Sequence, residues 1–311
     1  MTAAPDLTPE SGLLARLTAS RWGKLGIAVL RWGIPLVLLV IIGRRLSQLG
    51  WREVWTARPA NPGFYILLAL QFFLQPLGDY LVYRNLWGRA NAPPMKVILK
   101  KRLMNTFVLD YSGEAFFYFW AQARLKLAPG LLVHGIKDSN LLSGGAGLVT
   151  VYAMVLLLLA MGGLKFPAGL NAHGWLYVLA GTAPLILCTV LVLGHRKLTV
   201  LSRTQMATIF AIHFSRAVLA LVVEFGLWQL SGALPSAVAS LQFVTLRTVV
   251  TRLPLVPNKD LIFVGAGIAA AGAAGASVTP VATVLVILAA ADLVMAASVA
   301  SFAWLLNRQD P

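Results

Sequence analysis

Charge is scarce in this chain. Only 12% of its 311 residues are Asp, Glu, Lys or Arg, about half of the roughly 25% found in a soluble domain. A water-facing surface cannot be coated with so little charge, which excludes an ordinary cytosolic enzyme, a disordered chain and a fibrous repeat. Acids are scarcer still, with 11 Asp and Glu against 26 Lys and Arg and a net charge of +15. The lone cysteine, Cys188, lies inside the apolar run LILCTVLVL and has no second thiol to pair with. There is no H-E-x-x-H and no G-x-S-x-G, and His134, His173, His195 and His213 lack ligand spacing. No metal, cofactor or catalytic residue is therefore expected. The stretch Phe263–Ala270 imitates a G-x-G-x-x-A dinucleotide turn, but no βαβ unit surrounds it.

What is abundant is hydrocarbon: 58% of residues are hydrophobic and the mean hydropathy is +0.77. Apolar runs at 26–43, 63–83, 139–160, 174–194, 205–230 and 279–306 each approach the ~20 residues that carry a helix across a bilayer. The run 26–43 follows Arg16, Arg21 and Lys24 like a signal peptide. It is too long for one and lacks a small-residue cleavage pattern, so it reads as an uncleaved first span. Basic residues cluster in the short gaps between runs. That placement points to topology and anionic lipid headgroups rather than nucleic acid. With the N-terminus inside, most of the 26 Lys and Arg residues face the cytoplasm, which favours N-in and C-in in the inner membrane. Residues 1–25 form a tail with an interfacial helix, and 26–311 form the membrane domain. Arg44–Arg58, with Trp51 and Trp55 on one face, reads as an interfacial elbow helix.

Two apolar segments are interrupted. Residues 99–124 carry Asp110, Ser112, Gly113 and Glu114 in their middle, and residues 236–276 break at Leu253–Asp260 around Pro254 and Pro257. Each predicts two half-helices joined by an irregular turn. Such breaks persist at membrane depth only where protein or a wet cavity satisfies the backbone. When paired in two halves of a chain, they point to a transport site. The expected fold is an all-α polytopic membrane protein with about six full spans and two re-entrant segments, arranged as an inverted repeat.

Ionisable groups at membrane depth cost about 2.5–3.5 kcal/mol or more each, so they mark candidate sites. The first group is Asn105, Asp110, Gly113 and Glu114, behind Lys100, Lys101 and Arg102. It lines a polar pocket, or else sits solvated at the interface. The second is Arg247, Arg252 and Lys259 beside Asp260, suited to a lipid phosphate or to snorkelling at the membrane edge. Arg216 and Glu224, eight residues apart, read as a structural ion pair. Asp79 and Asp292 are lone acids that need partners. Asp138 and Asn140 read as caps for the span that follows them. The glycines and alanines of Gly265–Ala276, with Gly144, Gly145 and Gly147, read as small residues that let helices approach.

Several features recur in a familiar order. The elbow LGWREVWTARPANPGFYILLAL precedes a span ending in YLVYRNLWG. The broken segment RLMNTFVLDYSGEA carries Gly113-Glu114, and a later break has Leu253, Pro254 and Pro257. Over roughly residues 26–306 this layout resembles the flippase-like membrane domain of the lysylphosphatidylglycerol synthase family. Asn258 and Lys259 stand where that family has paired glycines, and the soluble aminoacyl-transferase domain of its bifunctional members has no counterpart before Pro311. The resemblance implies a protein that binds or translocates a lipid or lipid-linked, anionic substrate, with membrane lipids as partners. An intramembrane transferase and a non-transporting subunit of an envelope lipid or polysaccharide pathway stay open. So do a partner enzyme and a homo-oligomer.

Overall fold

The computed structural model describes residues 51–107, 111–163, 199–251 and 259–307, together with Val40, Arg44 and Ser47. The expected spans 26–43, apart from Val40, and 174–194 lie outside the described residues. So do Asp110, Arg252, Pro254, Pro257, Cys188 and the Asp292 side chain. Within the described residues the regular structure is helical, with no strand.

A short helix α1 (Trp51–Thr56) leads into α2 (Pro62–Trp87). The Asn61 side chain caps α2 by accepting from the Gly63 amide at 2.8 Å, and Pro62 fills the first turn, where no amide partner is needed. A helical pair follows, α3 (Met95–Phe107) and α4 (Ser112–Arg124), and then the long α5 (Pro129–Ala160). The second half opens with α6 (Arg203–Ser231). Its Ser202 and Gln205 form a reciprocal capping box, and Gly232 closes it with φ 64°. A second short pair, α7 (Ala237–Thr251) and α8 (Lys259–Ala270), precedes the long α9 (Val278–Asn307). Both halves thus read long helix, two short helices, long helix. Replacing Ser202 by alanine removes one partner of the capping box and is expected to lower stability by about 1 kcal/mol, read as a shift in thermal unfolding.

Among the described residues, α2, α5 and α6 are long and apolar enough to cross a membrane. They account for three of the six expected spans, and two of the others fall outside the described residues. Helix α9 covers the sixth range with 30 residues; within it, Val278–Ala291 is a shorter apolar stretch. The side chains are distributed inside out. Ile66 is 69% exposed, Leu156 63% and Val222 64%, whereas Asp79, Lys101, Asp138 and Glu224 are buried. Water would favour the reverse arrangement, but hydrocarbon accepts aliphatic exteriors and drives polar groups to the bundle interior. All three long helices have this character, as expected for a membrane protein.

Helices α2 and α6 run antiparallel along one another. Gly63 faces Leu230, Gly226 faces Leu67, Gln71 meets Glu224, and Gly78 lies against the Arg216 side chain. A methyl group added at Gly78 would collide with Arg216 Cδ, so the glycine makes room for that guanidinium stem. Two apolar cores flank this pair. One gathers Tyr83, Trp87, Ile98, Phe117 and Leu132 from the first half. The other joins Phe64 to Leu227, Trp228, Phe243, Phe263 and Leu285 from the second.

Candidate functional site

The first broken segment folds as expected into two short helices, packed side by side. Tyr111, just before α4, has φ 70°, a left-handed conformation that is uncommon for a bulky residue. Three bonds tie the turn back to α3. Ser112 Oγ donates to the Met104 carbonyl at 2.8 Å, the Gly113 amide donates to Asn105 Oδ1 at 2.6 Å, and Asn105 Nδ2 donates to Glu114 Oε2 at 2.9 Å. A Cβ at Gly113 would strike the Lys101 carbonyl and Asn105 Oδ1. Only glycine lets the start of α4 sit this close to α3. Asn105, Gly113 and Glu114 therefore form one local cluster.

Its centre is Lys101, which the sequence presented only as part of a basic flank. Lys101 is 4% exposed. Its Nζ lies 2.8 Å from Asp79 Oδ2 and 3.4 Å from Glu114 Oε1. The Tyr83 and Phe117 rings are 5.2 and 5.7 Å away, close enough for cation–π attraction. Asp79, a lone acid in the sequence, thus has its partner. It has a second in Arg216, whose Nη1 lies 3.9 Å from Oδ1 and whose Nη2 donates to Ser143 Oγ at 3.1 Å. Nearby, Arg102 donates to Gln75 Oε1 at 3.2 Å and stacks over Phe72 at 4.4 Å.

A second centre forms around Arg247 of α7. Its Nη1 lies 3.7 Å from Glu224 Oε2 and its Nη2 lies 3.5 Å from Asp260 Oδ1, with its guanidinium 5.6 Å from the Phe263 ring. Gln71 Nε2 donates to Glu224 Oε2 at 3.4 Å. Lys259 sits beside Asp260 in the first turn of α8. The second group of the sequence reading therefore has Arg247 and Lys259 near the start of α8, with Arg252 outside the described residues.

The expected Arg216–Glu224 pair is replaced by an exchange of partners. Eight residues of α-helix rise about 12 Å, too far for the two side chains to meet readily along one helix. Arg216 instead reaches Asp79 on α2, and Glu224 reaches Arg247 on α7. Asp138 also departs from expectation. Pro129 starts α5 well before it, so Asp138 lies inside the helix and cannot cap it. There it accepts from Thr199 Oγ1 at 2.6 Å and from the Val200 amide at 3.3 Å, anchoring the approach to α6. The small-residue reading holds unevenly. Gly267 packs against Leu285 and Phe243, whereas a Cβ at Gly144, Gly265 or Gly272 would meet nothing within 4 Å.

The sequence missed Lys101, Gln71 and Ser143. One signal pointed to Gln71: Gln71, Gln75 and Asp79 recur every four residues in an otherwise apolar span, a polar stripe on one face of α2. No group of three or more His, Cys, Asp or Glu side chains suited to a metal ion occurs among the described residues. Compared with protein-family models, curated proteins and solved structures, the chain matches none.

Proposed function

We propose that this chain is a multi-pass inner-membrane protein that binds or translocates a lipid or lipid-linked substrate through its polar headgroup. The observation that carries this reading is the pair of stations Asp79–Lys101–Glu114 and Glu224–Arg247–Asp260, in which Asp79, Lys101 and Glu224 are buried. In each, one cation is held between two carboxylates, one from a long helix and one from the first turn of a short helix. Simple structural ion pairing is a weak account of such stations. Burying charge is costly, and hydrophobic replacement of a buried pair is often neutral or stabilising. Retaining two of them at membrane depth fits polar cargo better. A phosphate would compete with Glu114 for Lys101 and with Asp260 for Arg247, and a headgroup amine would take the freed acids.

The arrangement supports an inverted repeat. The same spacing separates Gln71 from Arg216 and Asp79 from Glu224. One residue more separates Lys101 from Arg247, Glu114 from Asp260 and Phe117 from Phe263. Because α2 and α6 are antiparallel, the equivalent stations lie toward opposite ends of that helix pair. Inverted repeats with broken helices present one site alternately to the two membrane faces. Both termini would then be cytoplasmic, and the resemblance to the lysylphosphatidylglycerol synthase membrane domain points to the same class of cargo.

The test is a headgroup-accessibility assay in proteoliposomes, using fluorescent phosphatidylglycerol and phosphatidylcholine and a membrane-impermeant quencher. Transbilayer movement without chemical change is expected, faster for phosphatidylglycerol. A new lipid product would replace this reading with a transferase. Neither movement nor product, for either lipid, would leave a non-transporting subunit.

A further inference from the structure

Each station holds one cation between two acids, but the two differ in the partner each long-helix acid receives from the other long helix. Asp79 receives the Arg216 guanidinium in addition to Lys101. At the equivalent place Glu224 receives the neutral amide of Gln71. Among the described residues Asp79 therefore has two cations within 4 Å, while Glu224 has one, Arg247, shared with Asp260. Glu224 is only 5% exposed, and its Oε1 has no hydrogen-bond partner among the described residues, nor does Oε1 of Gln71. Gln71 and Arg247 line a small recess with Leu68, Phe72, Leu288, Ala291 and Met295.

We propose that Glu224 is a proton-binding site, the place where a proton is taken up and given back as the protein changes conformation. A buried carboxylate oxygen with no donor is costly, and a second acid on the same cation adds repulsion; a proton on Glu224 relieves both at little steric cost. The proton adds to the Glu224 carboxylate from water, giving a neutral acid whose O–H can donate to Gln71 Oε1. Arg247 then keeps its contact with Asp260. Loss of the proton returns Arg247 to both acids.

The surroundings leave few competitors. From α7 comes Arg247, from α8 Asp260 with Lys259 beside it in sequence, and from α2 Gln71. Helix α5 carries no charged residue from Leu141 to its end. On α6 itself, Arg216 is engaged by Asp79 and Ser143. The one charged residue of α9 is Asp292, whose side chain lies outside the described residues. Asp260 is 41% exposed along its side chain, so water shares in its solvation. Glu224 has no such relief.

The use of this proton rests on the transport reading above, but its binding does not, so the two can fail separately. The experiment is infrared difference titration of the purified full-length protein in detergent, following the carbonyl band of protonated carboxyl groups. In wild type a band that appears and disappears reversibly with pH is expected. Glu224→Gln should remove it. Gln71→Arg, which supplies the cation that Arg216 provides to Asp79, should favour the ionised carboxylate and weaken the band at fixed pH. Asp79→Asn, at the balanced station, should leave it in place. A band that survives Glu224→Gln, or the absence of any such band in wild type, would overturn the assignment. Loss of the band at fixed pH on adding sodium chloride, but not choline chloride, would give the site to a sodium ion and also overturn the proton reading. Far-ultraviolet circular dichroism of each variant separates loss of the band from loss of the fold.

Discussion

Lys101→Met is expected to destabilise the folded protein by about 3–5 kcal/mol and to stop headgroup movement in proteoliposomes. The side chain occupies a closed box of Asp79, Glu114, Tyr83 and Phe117. Methionine fills much of the same volume, so the loss is one of charge rather than of packing. It leaves two buried carboxylates with Arg216 as the nearby cation. Adding Glu114→Gln to Lys101→Met restores the balance, because Asp79 and Arg216 then remain as a pair and glutamine can still bond Asn105. The double variant should therefore regain most of the lost stability while headgroup movement stays absent. Thermal unfolding in detergent gives the first quantity and the quencher assay the second. A loss below about 1 kcal/mol in Lys101→Met would mean that the pair is solvated like a surface salt bridge. Full transport in the double variant would make the station structural only.

The first station shows how far the sequence could be read. The interruption at Asp110–Glu114 was visible because acids and a glycine break an apolar run, and α3 and α4 do end and begin around it. The inside of the pocket was not visible. Lys100, Lys101 and Arg102 look alike as letters, yet Lys100 is exposed over Phe116 and Lys101 is buried between two acids. Helical phase distinguishes them only once the packed face is known, and that face is set by which helices pack together. The same limit explains Arg216 and Glu224. Their spacing along α6 was readable, but their partners come from α2 and α7, and the antiparallel pairing of α2 with α6 is a tertiary fact. Asp138 failed for a different reason. Its side chain suits a helix cap, but Pro129 starts the helix earlier, and the residue was left to bind the chain before α6.

The proposed repeat was illegible for a related reason. Apart from Phe117 and Phe263, its two copies would share roles rather than residue types: lysine for arginine, aspartate for glutamate, and glutamine for arginine. A hydrocarbon environment selects for where charge lies and how it is compensated, while the many lipid-facing positions accept any aliphatic side chain. Sequence identity between halves therefore fades quickly, and the spacing of the few buried polar groups endures.

Glycine substitutions should separate close approach from mere smallness. At Gly113 a Cβ would run into the Lys101 carbonyl and Asn105 Oδ1, both of which are fixed by the α3–α4 pairing. Backbone cannot move aside as a flexible side chain can. Gly113→Ala is expected to cost at least about 1–3 kcal/mol and to weaken the Asn105 bridge to Glu114. Gly113→Leu should prevent α4 from docking at all, so that little folded protein is recovered. Gly265, inside α8, is the control, because a Cβ there meets nothing within 4 Å. Gly265→Ala should be neutral, or should stabilise the protein by up to about 1 kcal/mol through higher helix propensity. Melting temperatures of the purified variants decide the matter. Equal, small shifts at both positions would mean that the α3–α4 turn is pliable, and the tight cradle around Lys101 would then have to be drawn more loosely.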